Sequence, residues 1–176
     1  MRLAATADVI IESFRPGVMD KLGIGYAAVA AVNPKIAYCS LSGYGQDGPY
    51  RDHAGHDINY LGYTGVLEQT GNEGGGPVIP NFQIADLLGG ALTAAMGILA
   101  AVLEAQRTGQ GRYIDVAMTD SVLAHTYFAM LRLNDAGQSA LTYASASQPP
   151  LPAVNDATGA APPAAPPPDA GGADLP

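Results

Sequence analysis

The chain predicts an α/β fold: a parallel sheet with flanking helices. Three observations point there. Residues 7–14 (ADVIIESF) and 36–41 (IAYCSL) are short apolar runs of the kind buried strands carry. Between them Val18, Leu22, Tyr26, Val29 and Val32 recur at near-helical spacing. Residues 112–118 (RYIDVAM) then alternate like a third strand after a long apolar stretch. Strand, helix and strand within about 35 residues make a βαβ unit, which requires parallel pairing and a right-handed crossover.

Each element has its own local cause. Arg15-Pro16-Gly17 breaks the first run, and Pro16 is placed to start a helix. Gly23 and Gly25 interrupt the helical stretch after it, predicting two short helices, and Asn33-Pro34 ends them. Residues 42–80 are glycine-rich with little periodicity, a long connection of the kind that carries function when ordered. From Leu87 to Leu103 no residue is charged. That length touches the lower edge of a membrane span, but Asp86 and Glu104 bound the run tightly and it is rich in Gly and Ala. The expectation is a helix buried between the sheet and neighbouring helices. Gly109-Gln110-Gly111 stops it, and residues 119–133 predict a further amphipathic helix capped by Thr119 or Asp120.

Composition narrows the function. Sixteen acidic residues against eight basic ones give a net charge of −8, and the basic residues are scattered, which excludes a nucleic-acid face. Asp135, Asp156, Asp169 and Asp174 come after the last basic residue, Arg132, so the acidity does not imply a cationic partner. One cysteine, Cys39, excludes an internal disulfide and fits a reducing, cytoplasmic setting. Two parts are expected: residues 1–140 as a partial domain, and residues 141–176 as a disordered tail. That tail is rich in Pro and Ala and, beyond Tyr143, has no aromatic or basic residue to form a core.

The candidate chemistry lies between residues 54 and 86. His56 sits between Gly55 and Asp57 in the long connection, with Asn59 and Tyr60 close enough to hydrogen-bond. Asp86 precedes the uncharged run, where it reads as a helix cap beside the positive end of the dipole, a place that also stabilises oxyanions. Gly43-Tyr44-Gly45-Gln46-Asp47-Gly48 matches the dinucleotide pattern G-x-G-x-x-G, yet Pro49 to Asp52 offer no helix to hold a pyrophosphate, so it reads as a turn. Cys39 reads as a buried inert thiol, His125 as a core or interface histidine, and His53 as solvated. No spacing suits a metal, and His53 and His56 lack the Glu or Cys that would complete one.

Three stretches together, ADVIIESFRPGVMDKLGIGY, NPKIAYCSLSGYGQDGPYRDHAGHDINYLGYTGVL and IADLLGGALTAAMGILAAVLEAQRTGQGRYIDVAMTD, resemble the family III CoA-transferases of CaiB/BaiF type, which include the α-methylacyl-CoA racemases. The resemblance implies a partial Rossmann-like parallel sheet, an incomplete version of the family's large domain, with a CoA thioester as substrate and no tightly bound cofactor. Asp86 would be the nucleophile that forms an acyl anhydride when CoA passes between carboxylic acids. In a racemase, Asp86 and His56 would exchange the proton at C2 of a 2-methylacyl-CoA. Gly55, Asp57, Ile58, Asn59 and Tyr60 would line the acyl-CoA, and Arg15 would contact the CoA.

Against that family the chain lacks the opening strand and glycine turn and the part beyond about residue 137. The expectation is therefore a product truncated at both ends or disrupted in frame. Intact members are expected to form interlocked homodimers, and this chain to expose apolar sheet edges instead. An inactive remnant is the second reading of function, and a membrane-anchored interaction protein using residues 87–103 the third. Acyl-CoA and carboxylic acids are the expected partners, with no nucleic acid and no membrane.

Overall fold

The computed structural model describes residues 1–72 and 75–127, all within the first of the two compact units into which the chain divides, residues 1–146 and 147–176. The proposed tail, and the part of the last helix beyond residue 127, lie outside the described residues.

Three parallel strands form the sheet in the order β1 (Val9–Glu12), β2 (Ala37–Ser42), β3 (Arg112–Ala117). Val9 pairs with Ala37, and Ala37 in turn with Arg112. Strand β2 is central and almost wholly buried, because helices cover both of its faces. Successive side chains point to opposite faces, so Tyr38 and Cys39 enter different cores. On one side Tyr38 and Ile36 pack with Val29 of α2 (Tyr26–Ala30), which comes after α1 (Val18–Lys21). On the other, Cys39 and Val116 pack with Ala94 of α4 (Thr93–Thr108). The expected βαβ unit and the two short helices are both present.

Two expectations change. The glycine-rich connection contains a helix, α3 (Asp57–Tyr63), and a 3-10 turn at Glu68–Thr70. Glycines around α3 hid it from a periodicity reading. The long apolar helix begins earlier than its uncharged run, at Ile84, and its first nine residues, Ile84–Leu92, are wound as a π-helix that runs straight into α4. Thr93 Oγ1 donates to Leu88 O, five residues back, at 3.3 Å. Gly89 and Gly90 permit a close approach there. A Cβ on Gly89 would lie 2.7 Å from Val122 Cγ2, and one on Gly90 would lie 2.9 Å from Met118 Cγ.

Nor is this helix buried all round. Its small residues, including Ala85, Gly89, Gly90, Ala94, Ala101 and Ala105, face inward. Leu88, Leu92, Met96, Leu99 and Leu103 are between 49% and 69% exposed. It packs as one layer on the sheet rather than between layers. The final described helix, α5 (Met118–Ala124), is capped by Ala117, not by Thr119 or Asp120. Thr119 instead donates through both its amide and its hydroxyl to Gly43 O, at 3.0 and 2.7 Å.

Candidate active site

The carboxyl ends of all three strands open into one cavity of about 490 Å³. Ligands of open parallel sheets bind in the crevice at that edge. Ser13 to Pro16 reach the cavity from β1, Leu41 to Tyr44 from β2 and its exit, and Met118 from the end of β3. Arg15, Gly55, His56, Tyr60 and Asp86 all line it, so five of the eight residues singled out from the sequence meet at one place. The volume lies within the range of small-molecule sites.

His56 is the N-cap of α3, extended at φ −132° and ψ 173°, rather than a residue of an open turn. Its amide donates to Asn59 Oδ1 at 2.9 Å, the reciprocal bond of a capping box. Asn59 therefore fixes the histidine backbone from outside the cavity. Asp57 does the same for the opposite wall, accepting at Oδ1 from the amide of Asp86 at 2.8 Å. Ile58 lies on α3 at 37% exposure and is not part of the cavity lining. The helix that carries His56 thus also holds the backbone that carries Asp86.

Asp86 is the third residue of the π-wound segment, whose N-cap is Gln83; the aspartate is a first-turn carboxylate and not the cap expected from sequence. Burial and then the nearby Asp57 carboxylate push its pKa above the usual carboxylate range, while His56 pulls it down. A carboxyl with that balance sits nearer to exchanging a proton at neutral pH than an ordinary surface aspartate. The π-helix is a rare winding often found at functional sites. Here it places a carboxylate in the cavity and two glycines against α5.

Tyr60 forms the floor. It is 4% exposed, and both Gly43 and Gly55 lie against its ring; a Cβ on either would meet Tyr60 Cε1 at 2.5 or 2.6 Å. Those glycines are therefore required by contact. Tyr44 packs edge-on against Tyr60, Tyr63 and His53, and Tyr50 joins the same aromatic group. Sequence reasoning missed Arg51 and His53, which also line the cavity, and Arg51 adds to the positive charge given by Arg15. Only their position in the loop before His56 hinted at it.

The decoys behave as their surroundings dictate. No helix starts within the Gly43–Gly48 turn, where Gly45 and Gly48 take φ of +84° and +80°. Cys39 is fully buried, and burial pushes its thiol up to about 11, leaving it protonated at neutral pH. His125 is exposed at the C-terminal end of α5, with Nδ1 2.7 Å from Ser121 O, and is not a core residue. Among the described residues no group of three or more His, Cys, Asp or Glu could hold a metal ion.

A three-stranded parallel sheet whose strand ends converge on a carboxylate, a histidine and arginines defines an α/β protein with a ligand crevice at the carboxyl edge of its sheet. Comparison with known proteins makes the class specific. The family profile of CoA-transferase family III matches residues 1–154, and the chain belongs to that family. It is 44% identical over 119 residues to "Alpha-methylacyl-CoA racemase" from Homo sapiens, covering 68% of this chain and 31% of that protein. It is 40% identical over 119 residues to "Succinate--glutarate CoA-transferase" from Agrobacterium fabrum, covering 68% of this chain and 30% of that protein. The crystal structure of a CaiB/BaiF family protein from Brucella suis matches with a TM-score of 0.73 at 35% identity, over 78% of this chain and 36% of that one. The chain thus spans about a third of the length of the curated relatives it matches.

Proposed function

We propose that the chain acts on acyl-CoA thioesters and transfers CoA between carboxylic acids, with Asp86 as the nucleophile. The observation that carries this reading is the placement of Asp86: a partly desolvated carboxylate at the first turn of a helix, inside the cavity where the three strands end. One carboxylate oxygen attacks the thioester carbonyl carbon. The carbon–sulfur bond breaks, the CoA thiolate leaves, and an acyl aspartyl anhydride remains. The thiolate then attacks the aspartyl carbonyl, releasing the first acid as its carboxylate and leaving CoA as a thioester on Asp86. Attack by a second carboxylate and return of the thiolate to its acyl group yield the new acyl-CoA and free Asp86. Arg15 and Arg51, which line the same cavity, supply positive charge for a phosphate or an incoming carboxylate. The family to which the chain belongs supports this reading.

A second reading, proton exchange at C2 of a 2-methylacyl-CoA, is favoured by His56. Racemisation needs two acid–base groups addressing one carbon, one accepting a proton while the other donates. His56 and Asp86 line one cavity and interact electrostatically. The identity to a racemase supports it as well.

One experiment separates the readings. The purified chain is incubated in deuterated water with a 2-methylacyl-CoA and a second carboxylic acid, and both C2 deuteration and new thioester are followed. Transfer predicts new thioester that survives His56→Ala and disappears in Asp86→Ala. Racemisation predicts deuterium at C2 that disappears in both variants. Neither product from the folded chain would contradict both readings.

A further inference from the structure

The first turn of any helix leaves amides without an internal partner, and Asp86 carries one of them. The backbone bond from Leu87 N to Gln83 O, at 3.1 Å, begins one residue later, and the N-cap Gln83 makes no side-chain cap bond. Asp57 supplies the acceptor from another helix. Its Oδ1 lies 2.8 Å from the Asp86 amide nitrogen, although the two residues are 29 positions apart in sequence. Asp57 is not among the residues that line the cavity, so it acts on Asp86 rather than on a ligand.

The residue type at position 57 matters as much as the bond. A serine or asparagine oxygen would also accept from the amide. A carboxylate accepts more strongly, but it sets a second negative charge beside the first. Burial and then that charge raise the proton affinity of Asp86, while His56 lowers it. The Tyr60 phenol, from the same helix α3, is pushed up by burial, then by Tyr44, Asp86 and Asp57. Across the cavity stand Arg15, Arg51 and His53. Helix α5 meets the π-wound segment with Met118 and Val122, and its Asp120 acts on Asp115 instead. Asp57 is thus the like charge set against Asp86.

We propose that Asp57 is a positioning residue for Asp86: its carboxylate clamps the backbone that carries the reactive carboxylate and, through like charge, raises the reactivity of that carboxylate. This deepens, and rests on, the reading of Asp86 as the reactive group. When Asp86 attacks a thioester carbonyl its negative charge passes to the departing thiolate, and the repulsion from Asp57 is relieved along the way. When Asp86 takes a proton the same repulsion is relieved. An uncharged acceptor at position 57 would hold the backbone equally and supply none of this.

NMR of the full chain made with isotope-labelled aspartate tests it. The Asp86 carboxyl resonance is identified as the one lost in Asp86→Asn and is followed across pH, with folding checked by circular dichroism. Asp57→Asn keeps an acceptor oxygen, so the Asp86 amide should stay protected from deuterium exchange while the Asp86 carboxyl titrates at lower pH than in the unaltered chain. Asp57→Ala should also speed exchange of that amide by at least about 10-fold. With an acyl-CoA and an acceptor acid, the acid limb of the transfer rate should move to lower pH in Asp57→Asn by the same amount as the resonance. Two results would overturn the proposal: an Asp86 titration unchanged in Asp57→Asn, or an Asp86 amide equally protected in a folded Asp57→Ala. A chain that shows the shifted titration but transfers no CoA would uphold the coupling and sink the reading of function on which its catalytic use rests.

Discussion

The two faces of residues 84–108 reverse the usual order of side chains. The buried positions are alanine and glycine, and the large side chains Leu88, Leu92, Met96, Leu99 and Leu103 stand on the exposed face beside Ala91, Ala95 and Ala100. Large apolar groups are normally the buried ones. The inner face uses its small residues for proximity: Gly89 and Gly90 bring the backbone against Met118 and Val122, and Ala94 packs against the sheet beside Cys39. That proximity carries Asp86 into the cavity at the strand ends. The outer face carries size, and its large apolar side chains stay about half exposed. The inner face is thus about placing a functional group.

The comparison can be broken most severely at Asp86 itself. Asp86→Asn keeps the shape but removes both nucleophile and base, and should lower turnover of an acyl-CoA by at least about 10³-fold in a steady-state assay. Crowding the inner face comes next. Gly89→Ala should cost about 1–3 kcal/mol in urea unfolding, since its Cβ would lie 2.7 Å from Val122 Cγ2 and 3.0 Å from Met118 O. Gly55→Ala should cost a similar amount, because it pushes on the Tyr60 ring.

A smaller effect sharpens the contrast through pH. The folded chain raises the Asp86 pKa above its unfolded value, so the ionised form is disfavoured by folding. That penalty is fully present above the folded-state pKa, fades as pH falls from there toward the unfolded value of about 4, and is gone below it. Asp86→Asn should therefore raise the unfolding midpoint at pH 7, and the gain should shrink toward acid pH. The inactive variant would be the more stable one. On the outer face, Leu88→Gln should change the stability of a single chain by no more than about 0.5 kcal/mol in the same unfolding assay.

Much of this was legible in the residues. The apolar runs around Ile10 and Tyr38 gave parallel strands, and Gly23 and Gly25 split the intervening helix, because these effects are local. His56, Gly55, Tyr60, Arg15 and Asp86 stand out in the sequence and share one cavity. Helix α3 escaped notice because its seven residues are too few to establish a period between flanking glycines. The π winding at Ile84–Leu92 had no local signal, since Gly89 and Gly90 take their role from contacts with α5. The side-chain oxygens of Asn59 and Asp57 hold the backbone amides of His56 and Asp86 respectively, a supporting role that their nearness to His56 in sequence does not show. Arg51 and His53 show that exposure and a place in the site are compatible: both stay exposed, as the reading of His53 as solvated expected, and both line the cavity.

The most direct measurement asks whether Asp86 becomes covalently charged during turnover. The chain is mixed with an acyl-CoA, quenched with hydroxylamine, digested and sequenced by mass spectrometry. CoA transfer through Asp86 predicts a hydroxamate on the peptide containing Asp86, dependent on acyl-CoA and absent from Asp86→Asn. An unmodified Asp86 in a chain that still produces new acyl-CoA would contradict it.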